Sequence, residues 1–204
     1  TNNYNEIKKL SSLILPHQVI ISNIYPTHLQ SFGSTRNIAI EKSDLINPKY
    51  NPNIELVILP NSNKDEIYIK KLAKKLLSSN KDISVIYKSA DLSKKSDLLG
   101  ITKHAKKNFK KIDVLINCAG IFPVKKLSSS TIDEFDYCMD VNVRAPFYLI
   151  KEFSRDMIRN KWGRIVNIGS SSSYDGFKET SIYCASKHAI LGLSRSVYDE
   201  LKNY

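Results

Sequence analysis

The sequence of 204 residues lacks long hydrophobic runs. No uninterrupted apolar stretch approaches the roughly 20 residues of a membrane helix, so we expect no membrane-spanning segment and no membrane partner. The three cysteines are too widely spaced for a zinc site or a disulfide framework, which favours a reducing compartment. A starting methionine is also absent, so we expect that the true N-terminus is missing. We therefore expect a cytoplasmic location and leave an organellar one open.

Arginine is scarce among the positive residues, although the formal net charge is +11. Recognition of bases in nucleic acids depends strongly on arginine, whereas most cations here are lysines. Five of these lysines cluster between Lys103 and Lys111, in the pattern of a solvated helix face. We therefore expect no nucleic-acid partner.

From about residue 54 the sequence alternates short β-rich runs with longer amphipathic stretches, a pattern typical of βαβ units and a parallel sheet. The first strand is expected at either Gln18–Ser22 or Thr27–Phe32. The later predicted strands are Ile54–Leu59, Ile83–Ser89, Ile112–Ile116 and Arg164–Ile168. The predicted helices are Lys64–Ser79, Ser96–Phe109, Thr131–Asn160 and Ile182–Leu201. Parallel sheets of this kind bind ligands beyond the carboxyl ends of their strands, so the residues there are functional candidates.

Two candidates are defined by backbone chemistry. Asn117, Cys118, Ala119 and Gly120 follow a hydrophobic strand, where small residues would let a flat cofactor approach the backbone; a plain strand-ending turn is the alternative. Pro146 has no N–H to bond the carbonyl of Asn142, four residues earlier in the predicted helix. That carbonyl could hold a water molecule in a proton path, or the feature could be a simple kink with a surface asparagine.

The other candidates are side chains. Ser170 follows a predicted strand and can donate a hydrogen bond to a substrate carbonyl, although Ser171–Ser173 also allow a plain polar loop. Tyr183 and Lys187 share one helix face, where an ammonium group would favour the phenolate and make a general acid or base. The same spacing occurs at three other pairs, which are Tyr4 with Lys8, Tyr174 with Lys178 and Tyr198 with Lys202. Only Tyr183 combines a helix with a preceding strand–loop serine.

In this order, the residues resemble the short-chain dehydrogenase/reductase family, whose pattern is an Asn-Asn-Ala-Gly-like turn, a helix asparagine, a serine and Tyr-x-x-x-Lys. Ser170 lies thirteen residues before Tyr183, which is the family's usual spacing. The resemblance implies that Tyr183 protonates a carbonyl oxygen as hydride arrives from the nicotinamide, and that Ser170 polarises this carbonyl. It also implies that Lys187 holds the ribose hydroxyls and keeps the pKa of Tyr183 low. Asn142 would anchor a water molecule through its carbonyl.

The resemblance further implies an α/β fold with a Rossmann-like, doubly wound parallel sheet. A single dinucleotide-binding and catalytic domain would span residues 33–204, without the family's C-terminal substrate lobe, after a poorly defined segment at 1–32. The diphosphate turn would be Gly33–Ala39, in which Asn37 and Ala39 replace the second and third glycines; an unrelated loop is the alternative. The predicted cofactor-binding residues are Gly33, Arg36, Asn37, Ile38, Asp91, Asn117, Ala119, Gly120, Tyr183 and Lys187.

Cofactor preference is predicted from single residues. Arg36 stands where NADP-preferring relatives carry a basic residue, so NADP(H) is favoured over NAD(H). Asp91 matches the family's adenine-contacting aspartate, and a helix-capping role is the alternative.

The expected function is reduction of a small-molecule carbonyl substrate, most simply by a 3-oxoacyl-type reductase. The alternatives are an alcohol, hydroxybutyrate or sugar-alcohol dehydrogenase of the same family, and a catalytically impaired nucleotide-binding scaffold. The loop of residues 174–177 is expected to line the substrate pocket. The resemblance also implies a homodimer or homotetramer.

Overall fold

The computed structural model describes residues 18–21, 56–61, 74, 78 and 84–204. Within these residues, five parallel strands form one sheet in the order β3-β2-β1-β4-β5. The strands are β1 Gln18–Ile21, β2 Leu56–Asn61, β3 Ser84–Ser89, β4 Val114–Asn117 and β5 Arg164–Asn167. The strand order reverses direction between β1 and β4, as in doubly wound nucleotide-binding folds, and this confirms the predicted Rossmann-like architecture.

The first strand occupies the earlier of its two predicted positions. Strand β1 lies between β2 and β4, with Gln18 opposite Leu56 and Ile20 opposite Leu115. One strand of the sheet therefore comes from the N-terminal 1–32 segment. Strand β2 ends two residues later than predicted, because its pairing with β3 continues through Pro60 and Asn61. The predicted first residues of this strand, 54 and 55, lie outside the described part of the chain.

The described helices are α1 Lys95–Asn108, α2 Ile132–Met139, α3 Ala145–Arg159 and α4 Ser181–Leu201. Helix α2 begins with a reciprocal capping box, in which Thr131 accepts the Glu134 N–H and the Glu134 carboxylate accepts the Thr131 N–H. This confirms the predicted start of the long helix at Thr131. Of the predicted helix 64–79, Lys74 and Ser78 are helical, and its other residues lie outside the described part of the chain.

The prediction of one continuous α-helix over residues 131–160 is wrong at its centre. Residues Asp140–Arg144 form a π-helical turn between α2 and α3, in which the Ala145 N–H donates to the Asp140 carbonyl five residues earlier. Pro146 follows directly and has no N–H to continue the α-helical pattern at this point. Single π-helical turns within α-helices are rare overall, and those that occur are frequently found at functional sites.

The core lies between β4 and the helices α1 and α3. Val114, Leu115 and Ile116 of β4 are fully buried, as expected for a central strand of a parallel sheet covered on both faces. The packed apolar residues around them include Leu98, Ile101, Ala105, Leu149, Ile150, Phe153 and Met157. All three cysteines are free thiols. Among the residues described, no helix is both long enough and apolar enough to cross a membrane.

The connection from α3 to β5 is a tight Schellman motif. Lys161 takes a left-handed conformation with φ of 53°, and the Trp162 N–H donates to the Met157 carbonyl at 3.1 Å. This turn brings Gly163 against the last turn of α3. A Cβ atom on Gly163 would lie 2.4 Å from Met157 Cγ and 2.5 Å from its Cβ, which is too close for any side chain.

We therefore expect Gly163→Ala to destabilise the protein. The Met157 Cβ is fixed to the helix backbone, so the strain must move the end of α3 or the start of β5, at a cost of about 1–3 kcal/mol. Gly192→Ala on α4 is the matched control, because a Cβ there meets nothing within 4 Å. Alanine also suits a helix better than glycine, by about 0.5–1 kcal/mol. In urea unfolding, the free energy of unfolding should be lower than wild type for Gly163→Ala and equal to or higher than wild type for Gly192→Ala. A wild-type value for Gly163→Ala would contradict the close packing of Gly163 against Met157.

Candidate active site

The candidate site lies at the carboxyl ends of β4 and β5. Asn117 ends β4, and its side-chain Nδ2 donates to Asn167 Oδ1 across the two strands at 2.8 Å. Asn167 in turn donates to Ser194 Oγ on α4 at 2.9 Å. These two amides, of which Asn117 is buried, link the strand ends to the helix that carries the candidate acid. The Asn117 side chain thus bonds to the neighbouring strand of the protein's own sheet and, through Asn167, is linked to α4, a role that the sequence pattern does not predict.

The turn after β4 leaves space next to two functional side chains. A Cβ built on Gly120 would lie 3.4 Å from Asn142 Oδ1 and 3.7 Å from Lys187 Nζ. These are ordinary contact distances, so the turn does not require glycine for its own packing. The absence of a side chain at Gly120 opens the surface beside the Lys187 ammonium group.

Asn142, in the π turn, binds the loop that follows β4. Its Oδ1 accepts the Ile121 N–H at 2.8 Å, and its Nδ2 lies 3.0 Å from the Ile121 carbonyl. The same Nδ2 is 2.9 Å from Ser186 Oγ and 3.3 Å from Cys138 Sγ. Only 3 % of the residue is exposed, so the alternative of a surface asparagine at a simple kink is wrong. The Nδ2 group carries two hydrogens and has three acceptors nearby, so it cannot donate to all three at once.

Ser170 begins a 3-10 turn just after β5. Its Oγ accepts the Ser172 N–H at 3.2 Å, while its own N–H donates to Ser173 Oγ at 3.1 Å. The Ser172 N–H therefore occupies one acceptor position of the hydroxyl group, whose proton is left to donate elsewhere, and the same hydroxyl interacts with the Tyr183 phenol. The serines after Ser170 do not form a featureless polar loop, because they orient its hydroxyl group.

Tyr183 and Lys187 lie one turn apart on α4, and both are buried, with 8 % and 6 % of each residue exposed. Lys187 Nζ donates to the Ile168 carbonyl beyond β5 at 2.7 Å and lies 5.6 Å from the centroid of the Tyr183 ring. Between them, Ser186 donates its hydroxyl proton to the Tyr183 carbonyl at 2.7 Å. The structure thus brings together Ser170, Tyr183, Lys187 and Asn142, the four predicted catalytic residues.

The pKa of Tyr183 is raised above its ordinary value. Burial is the main cause, because a phenolate loses solvation in this environment, and the Ser170 hydrogen bond opposes the shift without reversing it. Burial thus outweighs the hydrogen bond in this structure, and the lowering of this pKa by Lys187 stays a prediction. The phenol is protonated at neutral pH, which suits a group that donates a proton to a carbonyl oxygen.

Sequence and structure comparisons agree with this geometry. The family model described as short chain dehydrogenase matches residues 56–204. The chain belongs to the short-chain dehydrogenase family. It is 35 % identical over 132 residues to xanthoxin dehydrogenase from Arabidopsis thaliana, covering 64 % of this chain and 46 % of that protein. It is 32 % identical over 111 residues to a 3-oxoacyl-[acyl-carrier-protein] reductase from Buchnera aphidicola, covering 54 % of this chain and 45 % of that protein.

A solved structure shares the same short-chain dehydrogenase fold. A metagenomic short-chain oxidoreductase, crystallised in complex with NADP, superimposes with a TM-score of 0.73 at 23 % identity, over 92 % of this chain and 78 % of that one. The chain spans about half the length of the curated relatives that it matches. Membership in the family and the Rossmann-like fold, both expected from the sequence, are thereby confirmed.

The structure describes only some of the predicted nucleotide-binding residues of this short-chain dehydrogenase. Gly33, Arg36, Asn37 and Ile38 lie outside the described residues. Asp91 follows β3, where its Oδ1 accepts the Ser93 N–H at 3.0 Å and the Ser93 hydroxyl at 2.7 Å. These bonds form the turn that precedes α1, and they favour a local structural role for Asp91. Its contact with an adenine ring stays a prediction.

Sequence reasoning missed the buried polar residues that support the site. Ser186 is fully buried and joins Asn142 to the backbone of Tyr183. Its position three residues after Tyr183, on neighbouring turns of the same helix, is a signal that helical periodicity could have given. Cys138 also lies against Asn142, and burial raises the pKa of its thiol, so it is a neutral packing group here. Its position four residues before Asn142 offers a similar signal.

Proposed function

We propose that this protein transfers hydride reversibly between a nicotinamide cofactor and a small carbonyl or alcohol substrate. The observation that carries the proposal is the burial of the Tyr183 phenol beside the Ser170 hydroxyl, with Lys187 Nζ 5.6 Å from the centroid of its ring. This arrangement places a protonated phenol, a neighbouring hydroxyl group and a positive charge together. Ser170, Tyr183, Lys187 and Asn142 are the proposed catalytic residues, which makes an impaired scaffold the weaker alternative.

The described residues fit the nicotinamide end of such a cofactor. Gly120 lacks the side chain that would fill the surface beside Lys187 and Asn142, and the small Ala119 precedes it. Lys187 Nζ donates to the Ile168 carbonyl at 2.7 Å, and this bond holds the ammonium group at the sheet edge, where ribose hydroxyls would be bound. When bound, the nicotinamide supplies or accepts the hydride.

The chain's own groups would handle the proton. In the reducing direction, Ser170 donates a hydrogen bond to the substrate carbonyl and positions it, and Tyr183 transfers its phenolic proton to the oxygen. Lys187 stabilises the phenolate that remains, because its positive charge lies 5.6 Å from the ring centroid. The proposed role of the Asn142 carbonyl is to anchor the water through which the proton is replaced. In the oxidising direction the same steps run backwards.

The proposed cofactor and substrate class are inferred from sequence features. NADP(H) is favoured over NAD(H), because Arg36 would supply a guanidinium group for the extra phosphate, with Gly33, Asn37, Ile38 and Asp91 as further cofactor-binding residues. A 3-oxoacyl-type carbonyl reductase is the leading substrate class, supported by the similarity to the Buchnera reductase. Hydroxybutyrate and sugar-alcohol dehydrogenases remain the alternatives. We also propose a homodimer or homotetramer and, from the three free thiols, a reducing compartment such as the cytoplasm.

Fluorescence titration of the full-length protein tests the proposal directly. NADPH and NADH would be added separately and the nicotinamide emission followed to saturation. We expect saturable binding of both, with NADPH the tighter, and oxidation of the bound cofactor when a 3-oxoacyl substrate is added. Absence of binding by either nucleotide would overturn the enzyme proposal, whereas tighter NADH binding would overturn only the assignment of Arg36.

A further inference from the structure

The Phe122 ring packs edge-on against the candidate acid. Its centroid lies 4.5 Å from that of Tyr183 at an interplanar angle of 69°, the T-shaped arrangement that aromatic pairs prefer. We propose that Phe122 is a positioning residue, which fixes the Tyr183 ring and excludes water from one side of it. This inference rests on the proposed function, and it adds a residue from a loop that the motif pattern does not include.

The loop that carries Phe122 is held on both sides of the ring. On one side, Asn142 binds the N–H and the carbonyl of Ile121, at 2.8 and 3.0 Å. On the other side, the Lys125 N–H donates to the Glu179 carbonyl at 2.7 Å. Phe122 therefore lies between two backbone attachments only four residues apart, and its ring has little freedom to leave Tyr183.

The second attachment uses an uncommon backbone conformation. Glu179 has φ of 63°, a left-handed region that residues with a side chain rarely adopt. The same residue directly precedes Thr180, the N-cap of α4, so the bond from Lys125 links the Phe122 loop to the start of the helix that carries Tyr183. Strained backbone of this kind persists where the surrounding contacts fix it, and it is frequent near active sites.

The exposure of the two rings shows what Phe122 contributes. Phe122 itself is 49 % exposed, whereas Tyr183 is almost completely buried. An exposed phenylalanine at this place shields a buried phenol, because its edge occupies space that water would otherwise fill. Removing the ring should therefore hydrate Tyr183, lower the pKa of its phenol towards the ordinary value and loosen its orientation.

Ultraviolet titration of Tyr183 tests this shielding without requiring any activity. The protein contains 11 tyrosines, so the Tyr183 signal is obtained as the difference between each protein and its Tyr183→Phe counterpart. We expect the phenol in Phe122→Ala to ionise at lower pH than in the wild type, and the phenol in Phe122→Leu to lie between the two. Phe147→Ala is the control, since Phe147 is similarly exposed on α3. An unchanged Tyr183 titration in Phe122→Ala overturns the inference.

Kinetics of the full-length protein test the positioning role. For Phe122→Ala we expect kcat for carbonyl reduction to fall about tenfold, with cofactor affinity within about twofold of the wild type. Phe122→Leu should recover part of the loss, and Phe147→Ala should lose little. An unchanged kcat in Phe122→Ala overturns the role. If the wild type reduces no carbonyl compound, the proposed function fails, and the titration still decides whether Phe122 shields Tyr183.

Discussion

Replacing Tyr183 with phenylalanine should abolish turnover and leave cofactor binding nearly unchanged. The substitution removes only the hydroxyl oxygen, so the ring contact with Phe122 and the position of Lys187 are retained. Loss of the proton donor should lower kcat by about 10²- to 10⁴-fold. Stopped-flow or steady-state oxidation of NADPH gives kcat, and fluorescence titration gives the cofactor affinity.

Tyr198→Phe is the matched control for this experiment. Tyr198 lies on the same helix and also precedes a lysine by four residues, but it is 71 % exposed and Lys202 pairs with Asp199. We expect wild-type kinetics from this variant. Turnover retained in Tyr183→Phe, or lost in Tyr198→Phe, would show that the acid has been assigned to the wrong residue.

Replacing Asn142 with alanine should reduce both stability and turnover. The variant loses the two hydrogen bonds to Ile121 and the one to Ser186. Each polar group left buried without a partner costs about 1–3 kcal/mol, so the free energy of unfolding should fall by at least that amount. Because Ile121 precedes Phe122, kcat should also fall, even under conditions in which the variant remains folded.

This variant separates two roles of Asn142. Alanine keeps the backbone carbonyl of residue 142, which the family resemblance assigns to a bound water, and removes only the side-chain bonds. A stability and kcat equal to the wild type would show that the side-chain bonds are dispensable. Asn108→Ala is the control, because Asn108 is exposed and its amide bonds only locally, to the His104 carbonyl. Urea unfolding and NADPH oxidation measure the two effects.

Local sequence signals account for the elements that carry the site. The hydrophobic run before Asn117 predicts the end of β4 to within one residue, although the strand begins at Val114 and not at Ile112. The period of α4 predicts the face that Tyr183 shares with Lys187, and this is confirmed. The helix start at Thr131 follows from a capping pattern that involves only neighbouring residues. Each of these features is decided within a few residues, so the sequence is sufficient to predict it.

The features that were not predicted depend on contacts between distant segments. Pro146 signals a missing donor, but the chain can compensate by a kink, a bound water or a wider turn, and packing selects the π turn. The pKa of Tyr183 depends on how deeply the ring is buried, which no spacing of tyrosine and lysine reveals. Phe122 lies in a loop without periodicity, so its contact with Tyr183 could be found only from coordinates.

The π turn at Asp140–Arg144 also sets the rotational phase between two helices. Its hydrogen bonds span five residues instead of four, so the turn holds one residue more than an α-helical turn would, and every later side chain is rotated by about 100° about the axis. Before the turn, Cys138 of α2 points towards Asn142 and Ser186; after it, Leu149 and Phe153 of α3 point into the core. One extra residue thus lets α2 turn Cys138 towards the candidate site while α3 turns Leu149 and Phe153 towards the core.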